Sequence, residues 1–118
     1  MKKILIVDDA ATIIMSLRNN LEIAGYSVES ADNGSKGLEK LKSGKFDLIM
    51  TDINMPVMDG LEFIKEARKI VRFTPILILS TETSPERRAE AKQLGATGWL
   101  VKPCGGKDLL DVIKKVLP

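Results

Sequence analysis

Apolar residues fall along this chain in two alternating patterns. Five short stretches, Ile4–Val7, Ser27–Ala31, Leu48–Thr51, Ile76–Leu79 and Gly98–Val101, have the length and residue types of strands. Between them the apolar positions recur at helical spacing: Ile14, Leu17, Leu21 and Ala24; Leu38 and Leu41; Ile64 and Ala67; Leu109, Val112, Ile113 and Val116. A further helix around Arg87–Leu94 has the weakest apolar face and is read mainly from its start, Ser84-Pro85-Glu86, which offers a cap, an N1 proline and an early acid. Gly25, Gly44 and Gly95 stand where helices should end.

Strands that alternate with helices predict parallel βαβ units with helices on both faces of the sheet, an α/β doubly wound architecture. Ile4–Val7 and Ile76–Leu79 are apolar throughout and belong at the centre, whereas Ser27–Ala31 is mixed in polarity, as an edge strand should be. The strand order adopted, 2-1-3-4-5, is borrowed from flavodoxin-like sheets and does not follow from spacing. Neither a linker nor a repeat interrupts residues 1–118, and a single domain is expected.

Composition narrows the chemistry. The net charge of +2 is too small to argue for nucleic acid, although it is uneven: residues 1–83 carry 11 basic and 12 acidic side chains, and residues 84–118 carry 7 and 4. The opening apolar run stops after four residues at Asp8-Asp9, too soon for a signal peptide or a membrane span. With Cys104 as the only cysteine, a reducing, cytoplasmic setting is expected. Histidine is absent, which removes Ser-His-Asp and Cys-His catalysis and histidine metal ligands. Carboxylates, hydroxyls and lysine remain.

In an open α/β sheet, ligands sit beyond the carboxyl ends of the strands. Asp8 and Asp9 follow the first predicted strand, Asp52 and Asn54 the third, Ser80 closes the fourth, and Lys102-Pro103 follows the fifth. Singly, each residue has an ordinary role: an aspartate after a strand is commonly a turn former, and Asp9 alone would serve as a helix cap. Together, three carboxylates repel one another unless a cation holds them, and an all-oxygen site that leaves room for phosphate suits Mg²⁺. Such a site can transfer phosphate. Asp52 would be the nucleophile, and positive charge from metal on the Asp8/Asp9 side and from Lys102 would meet two phosphoryl oxygens, with the Ser80 hydroxyl on the third.

Asp8-Asp9, the run Asp52-Ile53-Asn54-Met55-Pro56-Val57-Met58-Asp59-Gly60, Ser80, and Gly95-Ala96-Thr97-Gly98-Trp99-Leu100-Val101-Lys102-Pro103 together resemble the receiver domain of bacterial two-component response regulators, most of all the single-domain chemotaxis kind. The likeness covers the whole chain. It implies Asp52 as phosphoacceptor and Mg²⁺ (or Mn²⁺) bound by Asp9, Asp52 and the Asn54 backbone carbonyl, with Asp8 acting partly through water. It further implies Lys102 paired with the phosphoryl group, a cis Lys102–Pro103 peptide, Ser80 and Trp99 as switch residues, and Asn54 and Glu82 as neighbours that set phosphate lifetime. A histidine kinase would be the phosphodonor. A target protein would bind the face made by the fourth helix, fifth strand and fifth helix of a monomer, with no membrane and no DNA-binding module involved. Trp99 departs from the Tyr, Phe or His usual at its position, and Cys104 from the common Phe.

Rival readings are weaker. The chain has neither a P-loop nor a dinucleotide fingerprint. A haloacid-dehalogenase-type phosphatase would need a second Asp two residues beyond Asp52, where Asn54 stands. A phosphorelay intermediate or phosphate sink without its own output would use the same residues as an output switch. Met15, Met50, Met55 and Met58 are expected to be packing residues.

Overall fold

The computed structural model describes residues 1–117. Its elements alternate as β1 (Lys3–Val7), α1 (Ala11–Ile23), β2 (Ser27–Ala31), α2 (Gly34–Ser43), β3 (Leu48–Thr51), α3 (Gly60–Ala67), β4 (Ile76–Ser80), α4 (Pro85–Leu94), β5 (Gly98–Val101) and α5 (Gly106–Val116). All neighbouring strand pairs are parallel and the order is β2-β1-β3-β4-β5, as expected.

Side-chain alternation divides the sheet into two cores. Ile4, Ile6, Leu48, Met50, Leu77 and Leu79 point to one face, where they meet Leu17 and Leu21 of α1 and Leu109 and Ile113 of α5. Leu5, Val7, Ile49, Ile76 and Ile78 point to the other, against Leu41 of α2, Leu61, Phe63, Ile64 and Ala67 of α3, and Ala91 of α4. Burial on both faces is why β1, β3 and β4 read as unbroken apolar runs. The edge strands β2 and β5 are only half-buried.

Caps fix several helix starts. Asn33 accepts from the Lys36 N–H at 2.8 Å before α2, and Asp59 from the Glu62 N–H at 2.8 Å before α3. α4 is held differently from the rest, since Ala91 is its one fully buried residue. Its C-terminal end is tied to α3 by Arg68, whose guanidinium donates to the Gly95 carbonyl at 2.7 and 3.1 Å and to the Thr74 carbonyl at 2.7 Å. Burial lowers the pKa of that guanidinium from its usual value. Gly95 turns the chain with φ of 113°, a left-handed value that suits glycine.

Among the described residues no helix is long and apolar enough to cross a membrane. Of the four methionines named above, Met50 and Met55 are buried and Met58 packs against the core, but Met15 is 66% exposed on α1, a correction to the packing role expected for it.

Candidate functional site

Strand register builds the site. Val7 pairs with Thr51, so the next residues along, Asp8 and Asp52, emerge side by side from β1 and β3. These two strands flank the point where the strand order reverses, the usual place for a ligand crevice. Ser80 pairs with Val101, which puts Lys102 just past the same end of the sheet.

The charges converge there. Carboxylate oxygens of Asp8, Asp9 and Asp52 lie within 4.8 Å of one another. The Lys102 ammonium donates to Asp8 Oδ2 and Asp52 Oδ2, both at 3.0 Å, and so bridges the two strands. Burial alone would lower the lysine pKa, but the hydrogen bonds it donates to Asp52 and Asp8 and the charges of both outweigh it, and the group stands above its ordinary value. The other oxygens are engaged by main chain: Asp52 Oδ1 accepts from the Ile53 N–H at 2.6 Å, and Asp8 Oδ1 from the Ala10 N–H at 2.9 Å. Asp9 does not cap α1. Ala10 holds that position without a side-chain bond, and the Asp9 side chain is exposed at the rim.

Three carboxylates against one ammonium leave a negative site of oxygen donors, without sulfur or imidazole, that fits a hard divalent cation such as Mg²⁺. The Asn54 side chain is exposed in the β3–α3 turn.

Contacts behind Asp52 fix its main chain. The Thr51 hydroxyl donates to the Asp52 carbonyl at 2.8 Å. Gly60 opens α3 directly on this segment: its N–H donates to the Ile53 carbonyl at 2.7 Å, and a Cβ placed on Gly60 would lie 2.0 Å from the Asp52 carbonyl oxygen. Val57, in the same turn, has φ of 72°, a left-handed value that strains a β-branched residue.

Ser80 and Trp99 meet through a third residue. The fully buried Ser80 hydroxyl accepts from the Glu82 N–H at 3.1 Å, while the Trp99 ring N–H donates to the Glu82 carbonyl at 3.1 Å. Trp99 is half-buried against the α4 side of the core, with the Arg88 guanidinium 5.7 Å from its ring centre. The Glu82 carboxylate turns toward its own loop and accepts from the Ser84 N–H at 3.3 Å. Lys102–Pro103 is cis, as the resemblance implied. Cys104 is half-buried, and burial together with Asp108 raises its thiol pKa, which makes the thiolate scarce.

The sequence reading gave Gly60 and Thr51 no role. The pattern Asp59-Gly60-Leu61-Glu62 resembles a helix-start signal and marks where α3 begins, but nothing in it shows that α3 begins on top of Asp52.

This chain belongs to the response regulator receiver domain family, whose model matches residues 4–114. Over 116 residues it is 35% identical to the alkaline phosphatase synthesis transcriptional regulatory protein PhoP of Bacillus subtilis, a match that covers 98% of this chain and 48% of that protein. The chain thus spans about half the length of that relative. The structure of Vibrio cholerae chemotaxis protein CheY4 matches with a TM-score of 0.94 and 48% identity, covering 98% of both chains. Response regulator protein TrrA from Thermotoga maritima, solved in complex with Mg(2+)-BeF, matches with a TM-score of 0.89 and 35% identity, over 98% of this chain and 99% of that one.

Proposed function

We propose that residues 1–118 act as one receiver unit, a cytoplasmic switch that accepts a phosphoryl group on Asp52 from a histidine kinase. The observation that carries this is the Lys102 ammonium, held at 3.0 Å from both Asp8 and Asp52 beside a cluster of three carboxylates. An Asp52 carboxylate oxygen attacks phosphorus, the P–N bond to the donor histidine breaks, and its electron pair returns to the imidazole nitrogen. Lys102 then follows the transferred group and neutralises one of its oxygens. Mg²⁺ (or Mn²⁺), held by Asp8, Asp9, Asp52 and the main chain of Asn54, would supply positive charge to another. That the similar protein TrrA was solved in complex with Mg(2+)-BeF supports Mg²⁺ as the cation of this acidic site.

The Ser80 hydroxyl is the donor for the remaining oxygen. Turning toward it means releasing the Glu82 N–H, and the same residue's carbonyl holds Trp99. A charge event at Asp52 is thereby passed to Trp99 and to the α4–β5–α5 face, where a target protein binds. Asn54, in the β3–α3 turn with Asp52, and Glu82, in the β4–α4 turn, tune how long the phosphate lasts. The likeness to chemotaxis protein CheY4 favours a chemotaxis output.

Incubation with acetyl phosphate and Mg²⁺ followed by intact mass spectrometry tests the reading. One base-labile phosphoryl group is expected on the wild type and none on Asp52→Asn. Full labelling of Asp52→Asn would place the nucleophile elsewhere.

A further inference from the structure

The two ends of the sheet carry opposite charge. The loops that follow strands, at the end that holds Asp52, contain six acidic side chains and one basic, Lys102. The loops that precede strands contain five basic side chains and one acidic, Asp47, whose carboxylate accepts from the Lys3 N–H at 2.8 Å. Helix ends deepen the contrast. α2, α3, α4 and α5 finish at the basic end, each with lysine in its last turn. Those lysines have an ordinary role, since they complement the helix dipoles. Lys2, Lys45 and Arg72 are exposed in loops and lack that role. Nor do the dipoles account for two apolar side chains left in water at the same end: Phe73, next to Arg72, is 92% exposed, and Ile23, which ends α1, is 86% exposed.

We propose that this end of the domain docks on an anionic lipid bilayer, with Lys2, Lys42, Lys45, Arg72, Lys114 and Lys115 over the headgroups, Phe73 and Ile23 set into the interface, and the acidic crevice turned away. The family likeness implied no membrane, and the net charge of +2 conceals the feature because the two ends offset each other. Charge complementarity and shape select the occupant. Lys114 and Lys115 end α5 on one side of the sheet, Lys42 ends α2 on the other, and the domain measures 33 × 31 × 27 Å. A flat anionic surface meets all of these cations at once, and each adds about fivefold in affinity near such a surface. Exposed Phe and Ile among cations complete the pattern of an interfacial anchor. A nucleic-acid duplex lays its phosphates along a line and offers Phe73 and Ile23 no apolar layer to enter. A second copy could set its acidic end here, but that contact is heterologous, builds open chains and covers Asp52. The bilayer leaves Asp52 facing solvent, because the surface that attracts the basic end repels the acidic one. Docking of this kind does not depend on phosphorylation.

Cosedimentation of the unphosphorylated protein with vesicles tests this. Vesicles of equal parts phosphatidylglycerol and phosphatidylcholine should carry the protein down, and raising the salt should release it. Vesicles of phosphatidylcholine alone should leave it in solution. K45E/R72E should weaken binding about tenfold or more. Phe73→Ser should weaken it severalfold with the charge unchanged. K36E/K107E makes the same charge change at exposed positions of the acidic end and should leave binding within about twofold. Every substituted side chain is exposed, and matching far-UV spectra check that the variants fold. Failure to bind anionic vesicles, equal binding to neutral ones, equal loss in both double variants, or tighter binding to duplex DNA would overturn the proposal. Sedimentation without vesicles, the mark of association between copies, would overturn it as well.

Discussion

Gly60→Ala should disable the site from behind while leaving every charged residue in place. The added Cβ would lie 2.0 Å from the Asp52 carbonyl oxygen and 2.8 Å from Ile53 Cα, whereas ordinary contact begins near 3.4 Å. Both obstacles are backbone, so no side chain can swing clear. Helix and turn must part by about 1.4 Å at that point. If Asp52 takes half of this, its carboxylate moves far enough to strain the 3.0 Å bond to Lys102. Overpacking of this kind costs about 1–3 kcal/mol, and the top of the range applies where only backbone can yield. Replacing glycine within a helix returns less than about 1 kcal/mol. A net loss of about 2 kcal/mol should lower the urea midpoint by about 1–2 M, at ordinary m-values for a domain of this size. Gly44→Ala is the control, since its nearest non-neighbour atom would be 3.6 Å away and its backbone is extended. Phosphorylation by acetyl phosphate should slow at least tenfold in Gly60→Ala and be unchanged in Gly44→Ala. A wild-type midpoint together with a wild-type rate for Gly60→Ala would refute the argument.

Lys102→Ala leaves Asp8 and Asp52 without their shared cation and should destabilise the metal-free protein by about 3 kcal/mol. Mg²⁺ should bind it at least as tightly as the wild type, and calorimetry showing tenfold weaker binding would contradict this. In Ser80→Ala, phosphorylation should proceed but the accompanying change in Trp99 fluorescence should shrink severalfold, since the hydroxyl that bonds Glu82 is gone; an undiminished change would separate Trp99 from the site. Val57→Gly should stabilise by about 0.5–1 kcal/mol, because strain at φ of 72° exceeds the entropy cost of glycine. A lower melting temperature would show that the turn is not strained. Glu29 is held below its usual carboxyl pKa of 4.5 by hydrogen bonds from Lys3 and Lys40. Its contribution is therefore full above pH 4.5 and vanishes as pH falls through the lowered value. With the pair about a third exposed, Glu29→Gln should cost only about 0.3–0.5 kcal/mol at pH 7 and progressively less as the pH falls below 4.5; a cost that does not shrink in acid would refute the linkage.

The strands were legible because burial on both faces leaves β1, β3 and β4 no polar position to interrupt them. Strand order was not. Local pattern shows that a chain returns parallel to β1, but not on which side, and that choice belongs to packing among helices far apart in sequence. The acidic cluster could be read because the pair Asp8-Asp9 follows β1 and Asp52 follows β3, and parallel strands bring such ends together. Where the reading stopped, the decisive fact was a distance. Gly60 is an ordinary helix-start glycine until the Asp52 carbonyl is found beneath it, and Ser80 and Trp99 are unconnected until both are found on the backbone of Glu82. Met15 stands outside the Ile14, Leu17 and Leu21 spacing of α1, and its exposure follows from that position rather than from its apolar type.

The sparse anchoring of α4 has a mechanical consequence. A helix with one fully buried residue behaves as a lever, bolted by Arg68 at Gly95 and latched at its opposite end through Glu82. Ten residues give an arm of about 15 Å, so a tilt of about 10° at the bolt carries the latched end through roughly 2.5 Å. Movement on that scale exceeds the reach of the Ser80 hydroxyl that would start it. It requires no melting of the helix, and it leaves the Gly95 end, three residues before β5, fixed as the reference against which the other end is displaced.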